Sequence, residues 1–236
     1  MPRKTLLQIS QDAVNGVKDV AIPSTIINNS DPTAILLKSI ATKVARELER
    51  GYNWQTLKRE HTFTTDGIAS AYVLPTDFRR FVPLTAWDRT GERPLIGASN
   101  SGWQGLQSGA MVSGVFYYFT VYGDRFRINP LPPSGLTMVF DYFSSQFIET
   151  SASDSTALDD WTADSNICRL DGDLMTLGVA YRYLNRQGAP FQEEKGDYMQ
   201  AIKDLQFDDT PPPLVDFAPE TPFKPPVNIP DGNWDI

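Results

Sequence analysis

Few residues in this 236-residue chain have the types and spacing to do chemistry. His61 is the only histidine and lies in the alternating run Arg59-Glu-His-Thr-Phe. A general base needs a pocket and a nucleophilic neighbour, and the flanking residues supply neither. The alternation predicts a surface histidine on a strand. Cys168 is the only cysteine, so an internal disulfide and a cysteine metal cluster are both excluded. It sits beside an apolar helix start and reads as a buried thiol rather than as a nucleophile served by His61.

The acids Asp159, Asp160, Asp164, Asp171 and Asp173 match a calcium loop only in composition, because the closing bidentate Glu and the regular ligand spacing are missing. Helix capping and loop solubility explain them better. Gly102, Gly105, Gly109 and Gly114 do not form a phosphate loop, since no Lys-Ser/Thr pair follows them. Glycoside hydrolysis would need two carboxylates across a cleft, and Asp88, Glu92 and Asp141 are the tempting set. Arg79, Arg80, Arg89, Arg93, Arg125 and Arg127 cluster with Trp87 and Trp103 interleaved. One reading is an interface or nucleic-acid groove. The preferred one is solvated strand faces whose arginines pair with nearby acids. Catalytic, cofactor-binding and metal-binding residues are therefore expected to be none.

The elements that must position these residues divide the chain in three. Residues 72–143 hold most of the aromatics, and β-branched and aromatic runs alternate there with Gly, Pro and Asn-Pro turn signals. Six or seven strands are expected, including a hairpin with Tyr118 to Tyr122 and Arg125 to Asn129 as its arms. Phe126 and Ile128 should face one side of it, and Arg125 and Arg127 the other. Trp103-Gln-Gly-Leu-Gln reads as a helical turn, and the polar, acidic residues 144–165 as a loop.

Helical patterns flank this region. Leu6, Ile9 and Ala13 share a face behind a Thr5 cap. Asp31-Pro32 starts the clearest helix, with Leu37, Ile40, Ala41, Val44 and Leu48 as its apolar stripe and Gly51 as its C-terminal cap. The apolar linker before it, residues 20–30, should lie against something. Leu170, Leu174, Leu177, Tyr181 and Leu184 mark a helix that Gly188 ends, and Phe191, Glu194, Tyr198, Ile202 and Leu205 mark its antiparallel neighbour.

Residues 208–236 differ in kind. They hold eight of the eighteen prolines and six acids against one lysine, Lys224. A proline-rich chain stays extended at about 3.1 Å per residue, so this arm could reach on the order of 90 Å. Leu214, Phe217, Phe223, Ile229 and Trp234 punctuate it, and a purely solvated linker has no use for them. These five are the expected partner-binding anchors, Phe217, Phe223 and Trp234 above all, because buried aromatics dominate interface energetics.

The whole chain carries a net charge of −8, which makes it a poor free-standing binder of nucleic acid or anionic membrane. No run approaches the roughly 18 apolar residues of a membrane span. The N-terminus turns polar after Ile9, too soon for a signal peptide. Synthesis in the cytoplasm is expected.

An ordered series of short motifs resembles a known family. It runs from Leu6-Leu with Ile9, through Ile22-Pro-Ser-Thr-Ile-Ile, Asp31-Pro-Thr and Tyr52-Asn-Trp-Gln-Thr-Leu, to Leu74-Pro-Thr-Asp-Phe, Trp87-Asp-Arg-Thr and Pro94-Leu-Ile-Gly. It continues through Trp103-Gln-Gly-Leu and Tyr122-Gly-Asp-Arg ahead of Pro130, and closes on the Leu174, Leu177 and Tyr181 helix with Leu184-Asn-Arg and Gly188. Over roughly residues 5–205 the chain resembles head-to-tail adaptor (connector, head-completion) proteins of tailed bacteriophages, especially short-tailed ones.

The resemblance implies a structural virion protein at the head–tail junction, made in the host cytoplasm and free of catalytic residues and cofactors. It implies a dodecameric ring that joins the portal protein to the tail or nozzle protein and extends the DNA channel. Passing DNA would be contacted only non-specifically, and no membrane would be involved. The fold expected is α+β. A helical bundle core (residues 1–58 and 166–207) would carry a β-rich insertion (59–165) and an extended Pro-rich C-terminal docking arm (208–236). The alternative is a tail-associated carbohydrate-binding or hydrolytic module, with Trp87, Trp103 and Arg125 lining a groove on the β-rich region.

Overall fold

Thr5 begins the first helix as expected. Its hydroxyl accepts from the Gln8 backbone N–H while the Gln8 side chain accepts from the Thr5 N–H, a reciprocal cap that satisfies two orphan donors. In the computed structural model, which describes residues 3–15, 17, 20–109, 116–151 and 154–209, this helix is α1 (Leu6–Val14). Asp31 caps α2 (Pro32–Gly51) through the Thr33 N–H, with Pro32 at the first helical position. Gly51 is the last helical residue of α2 rather than its cap, a role that falls to extended Tyr52.

After a 3-10 turn at Gln55–Leu57 come β1 (Lys58–Asp66), β2 (Ala71–Val73), β3 (Phe78–Phe81), β4 (Trp87–Asp88), β5 (Arg93–Pro94) and β6 (Ile96–Gly97). The expected turn around Trp103 is a longer helix, α3 (Asn100–Gln107), capped by Ser99. Then follow β7 (Tyr118–Tyr122), β8 (Arg125–Asn129), β9 (Ser134–Ser144), β10 (Ile148–Ser151), β11 (Asp154–Leu158) and β12 (Ile167–Cys168). α4 (Gly172–Gln187) starts on an Asp171 cap and stops at left-handed Gly188, and α5 (Gln192–Asp208) turns back against it. The fold is mixed α+β with five α-helices among the described residues.

Residues 144–165 correct the loop expected there, because β10 and β11 pair within them and β12 joins the other edge of β10. Phe147, Ile148 and Trp161 are buried with the helices, so their scatter among polar residues hides core positions. The N-terminal segment seals this sheet: Thr5 bridges Ile167, and the Cys168 N–H donates to the Lys4 carbonyl. The apolar linker also finds its support. Ile26 is buried, and Asp164 Oδ1 accepts from the Ile26 and Ile27 N–H groups at 3.0 and 2.7 Å.

Two apolar clusters result. One gathers α1, α2 and α4 with Trp54, Leu57, Phe147, Trp161 and Tyr198. The buried face of α4 is Leu174, Met175, Gly178, Val179 and Tyr183, while Leu177, Tyr181 and Leu184 of the expected stripe are half-buried. Met175, Val179 and Tyr183 replace them because helices pack on α4 from several sides.

The other cluster lies between two sheets. In the first, β9 pairs with β1 along one edge and with β3 and β4 along the other, and β5 extends β4. The second runs β2-β8-β7-β6. Phe126 of β8 stacks on Phe140 of β9 at 5.0 Å, with Phe119, Ile128, Met138 and Tyr142 around them. Each such side chain, fully buried, stabilises by about 1.5–3 kcal/mol. The hairpin alternation holds, with Phe126 and Ile128 inside and Arg125 exposed. His61 departs from the expected surface position. It pairs with Phe140 in register and its ring packs on Phe140 and Phe63 at 5.3 and 5.9 Å, because this face of β1 turns inward.

Two outcomes follow from this packing. A Cβ on Gly178 would lie 2.7 Å from Val44 Cγ1 and 2.8 Å from Tyr198 Cε2, so α4 approaches both through the missing side chain. Overpacking costs about 1–3 kcal/mol against a helix-propensity gain of about 1 kcal/mol, so Gly178→Ala should lower stability. Urea unfolding checks this, and an unchanged midpoint would contradict the close approach.

Burial holds the His61 pKa below the usual 6.5, opposed in part by the Asp77 carboxylate. The folded state thus favours the neutral ring. Its contribution is complete above about pH 6.5 and is lost as pH falls through the lowered folded value. As the lone histidine, His61 gives one imidazole resonance whose NMR titration midpoint should lie below 6.5. His61→Phe should flatten the stability loss between pH 7 and 5.

Candidate docking surface

The charged residues singled out from sequence are mostly engaged with one another. Arg93 pairs with fully buried Asp88 at 3.2 Å, and the other Asp88 oxygen accepts from the Gly91 N–H. Arg89 pairs with Glu60 at 2.6 Å, Arg79 with Glu49 at 3.1 Å and Arg125 with Asp124 at 3.5 Å. Arg80 donates to the Asn53 side chain. Asp164 pins the linker, Asp171 caps α4, and Asp173 pairs with Lys4. Among the described residues no group of three or more His, Cys, Asp or Glu side chains is placed to hold a metal.

Two carboxylates of the hydrolytic alternative, Asp88 and Asp141, are not brought across one cleft. Asp88 lies in register with Met138, three residues before Asp141 on β9. Side chains alternate along a strand, so Asp88 and Asp141 project from opposite faces of the sheet. Asp141 is paired with Lys58 at 2.7 Å. Cys168 is a fully buried thiol whose pKa is pushed up to about 12 by burial, which withholds the thiolate.

The outer face of β7 and β8 carries a cleft. α3 lies over it, and Asn100, Trp103, Gln104, Thr120, Tyr122 and Arg127 line a cavity of about 430 Å³. The two-residue period of β7 and β8 places Thr120, Tyr122 and Arg127 on the face away from Phe119 and Phe126. The Arg127 guanidinium sits over the Tyr122 ring, 5.1 Å from its centroid, and its Nε is buried with no hydrogen-bond partner. Tyr122 is 69% exposed. Of the groove expected from Trp87, Trp103 and Arg125, only Trp103 lies here. Trp87 belongs to the other sheet, and Arg125 is turned to Asp124. Alternation put Arg125 and Arg127 on one face, but the position of α3, a tertiary matter, selects Arg127.

A second surface lies on the C-terminal half of α2, where Lys43, Arg46, Glu47 and Arg50 line an open groove. Other apolar residues project at loop tips: Ile68 is 86% exposed, and Leu84, in the left-handed region at φ 63, is 85% exposed.

The anchors expected in the arm, Leu214, Phe217, Phe223, Ile229 and Trp234, lie outside the described residues. The point where the arm leaves is described. Tyr52 donates its hydroxyl proton to the Gln206 carbonyl at 3.1 Å, and Asp209 accepts from the Gln55 N–H at 2.8 Å. Burial raises the Asp209 pKa, with the Gln55 N–H opposing it. Phe207, the penultimate residue of the last helix, is 83% exposed.

No helix among the described residues is long and apolar enough to cross a membrane. No curated protein matches the chain. The family comparison agrees with the resemblance to phage head-to-tail adaptors, since the SU10 adaptor protein family matches residues 5–216. With both apolar clusters wholly inside that match, the chain belongs to the SU10 adaptor protein family.

Proposed function

We propose that this chain is a non-enzymatic structural protein of a phage virion that assembles as a dodecameric ring between portal and tail and extends the DNA channel at the head–tail junction of a short-tailed phage.

 The observation that carries this reading is the SU10 adaptor match over residues 5–216. The portal protein would bind one side of the ring and the tail or nozzle protein the other, while passing DNA would be contacted only non-specifically. In this reading residues 1–58 and 166–207 form the helical core, 59–165 the β-rich insertion, and 208–236 an extended docking arm anchored on a partner by Leu214, Phe217, Phe223, Ile229 and Trp234. The fixed departure point of the arm supports it, because a segment held at Gln55 and Tyr52 is launched from one place on every copy. Preset origins reduce the entropy lost when arms dock together.

The particle mass of the full chain, alone and mixed with the portal ring of the same virion, tests the assignment. A complex whose mass requires a ring of chain copies on the portal is expected, and two species of unchanged mass would contradict it. Deleting residues 210–236, which spares the Asp209 contact, should abolish that complex while leaving the circular dichroism and unfolding of the body unchanged. Undiminished docking of the shortened chain would remove the arm from the proposal.

A further inference from the structure

The cleft beneath α3 has no role in the packing of either apolar cluster, yet it holds an arginine that lacks what arginines ordinarily find. The other guanidinium groups of the β-rich region are directed at carboxylates or at Asn53. Arg127 has no ion pair among the described residues, and its buried Nε has no acceptor. A buried donor left unsatisfied is costly, and a guanidinium presents a planar fork suited to a carboxylate. The Tyr122 ring holds that fork in place from one side, and Tyr122 and Trp103 supply aromatic surface beside it. A cavity of about 430 Å³ admits a few side chains of an extended segment, rather than a helix.

We propose that this cleft is the receptor for an acidic, aromatic-bearing extended segment, namely residues 210–236 of a neighbouring copy of this chain, with Arg127 donating to one of its carboxylates. Charge complementarity selects the occupant. Residues 210–236 carry Asp216, Glu220, Asp231 and Asp235 against Lys224 alone, with Phe217, Phe223 and Trp234 beside the acids. In Asp231-Gly-Asn-Trp-Asp235, two carboxylates flank an indole, the combination that Arg127, Tyr122 and Trp103 are equipped to receive. Asn100, Gln104 and Thr120 add amide and hydroxyl groups for the backbone of such a segment. The inference rests on the reading of the arm as a docking segment and names its acceptor.

The test is fluorescence anisotropy of a labelled peptide of residues 210–236 titrated with the full-length chain. Saturable binding is expected. Arg127→Ala should weaken it by about tenfold or more, the scale of one charge-assisted hydrogen bond, and Arg127→Lys should restore only part of the loss. A peptide carrying Asp231→Asn and Asp235→Asn leaves the protein untouched and should lose affinity to a similar degree. Absence of binding, or binding indifferent to Arg127 and to both peptide acids, would overturn the assignment of the cleft. If the peptide fails here while deletion of residues 210–236 still abolishes the portal complex, the arm docks elsewhere and only the acceptor is wrong. If that deletion also leaves the complex intact, the docking reading of the arm falls with it.

Discussion

The two apolar clusters meet through a polar seam, and the orientation of the sheets on the helices depends on it. Arg79 of β3 reaches Glu49 of α2 across 3.1 Å, with side chains only 15% and 6% exposed. That approach is off the line of a hydrogen bond, so the pair is coulombic. Arg79 also lies within 3.4 Å of the Tyr52 and Arg50 carbonyls. Nearby, Arg169 donates to the Thr56 carbonyl at 2.6 Å and pairs with Glu149, which Arg3 holds from its other side. Burial pushes the Glu49 pKa up and those of Arg79 and Arg169 down, so each charge is held against its desolvation. Such pairs add little net stability compared with apolar packing, whereas removing one partner costs about 3–5 kcal/mol. Their contribution is direction, since an apolar seam tolerates sliding and a set of charged contacts favours one register.

Strand β9 carries that orientation into the β-rich part. Its inward residues Met138, Phe140 and Tyr142 form the floor of the aromatic cluster, and its last residue, Ser144, reaches the seam. Asp77 ties these together: it accepts from the Tyr142 hydroxyl at 3.0 Å and from Ser144 Oγ at 2.6 Å, and it pairs with Arg59 at 3.4 Å. Burial and the Asp77 carboxylate push the Tyr142 pKa up to about 12. The hydroxyl therefore stays a donor throughout the physiological range. Through Arg79 the sheets connect to α2 and to the stretch just after it, where Tyr52 and Gln55 hold Gln206 and Asp209 at the end of α5.

What was legible in the sequence was local. Thr5, Asp31-Pro32 and Gly188 act within one helical turn of themselves, and each marks a helix end where expected. The hairpin of β7 and β8 is equally local, and its period of two separates Phe126 and Ile128 from the arginines. What escaped was long-range. Asp164 gives no sign in its own neighbourhood that it will hold Ile26 and Ile27, far earlier in the chain. β10 and β11 hide in a polar stretch because their apolar support comes from the helices. The cleft is part local and part not: alternation aligned Arg125 with Arg127, while the placement of α3 decided which of them acquires an aromatic wall.

The distribution of charge changes what the acidity of the chain can mean. A net charge of −8 suits a channel wall that repels DNA phosphate. Yet residues 208–236, with six acids and one lysine, account for −5 of it, which leaves −3 on the preceding 207 residues. The body is thus close to balanced, and most of its arginines in the β-rich region are neutralised by partners. Exposed charges are screened beyond about 8 Å at physiological salt, so an acidic arm does little for the distant surface of the body. Its charge acts where the arm itself lies. An acidic arm on a nearly neutral body is better matched to finding cations on another surface than to repelling a polyanion. In the proposed arrangement the acidity therefore bears first on how copies and partners recognise one another, and on DNA only where an arm would border the proposed channel.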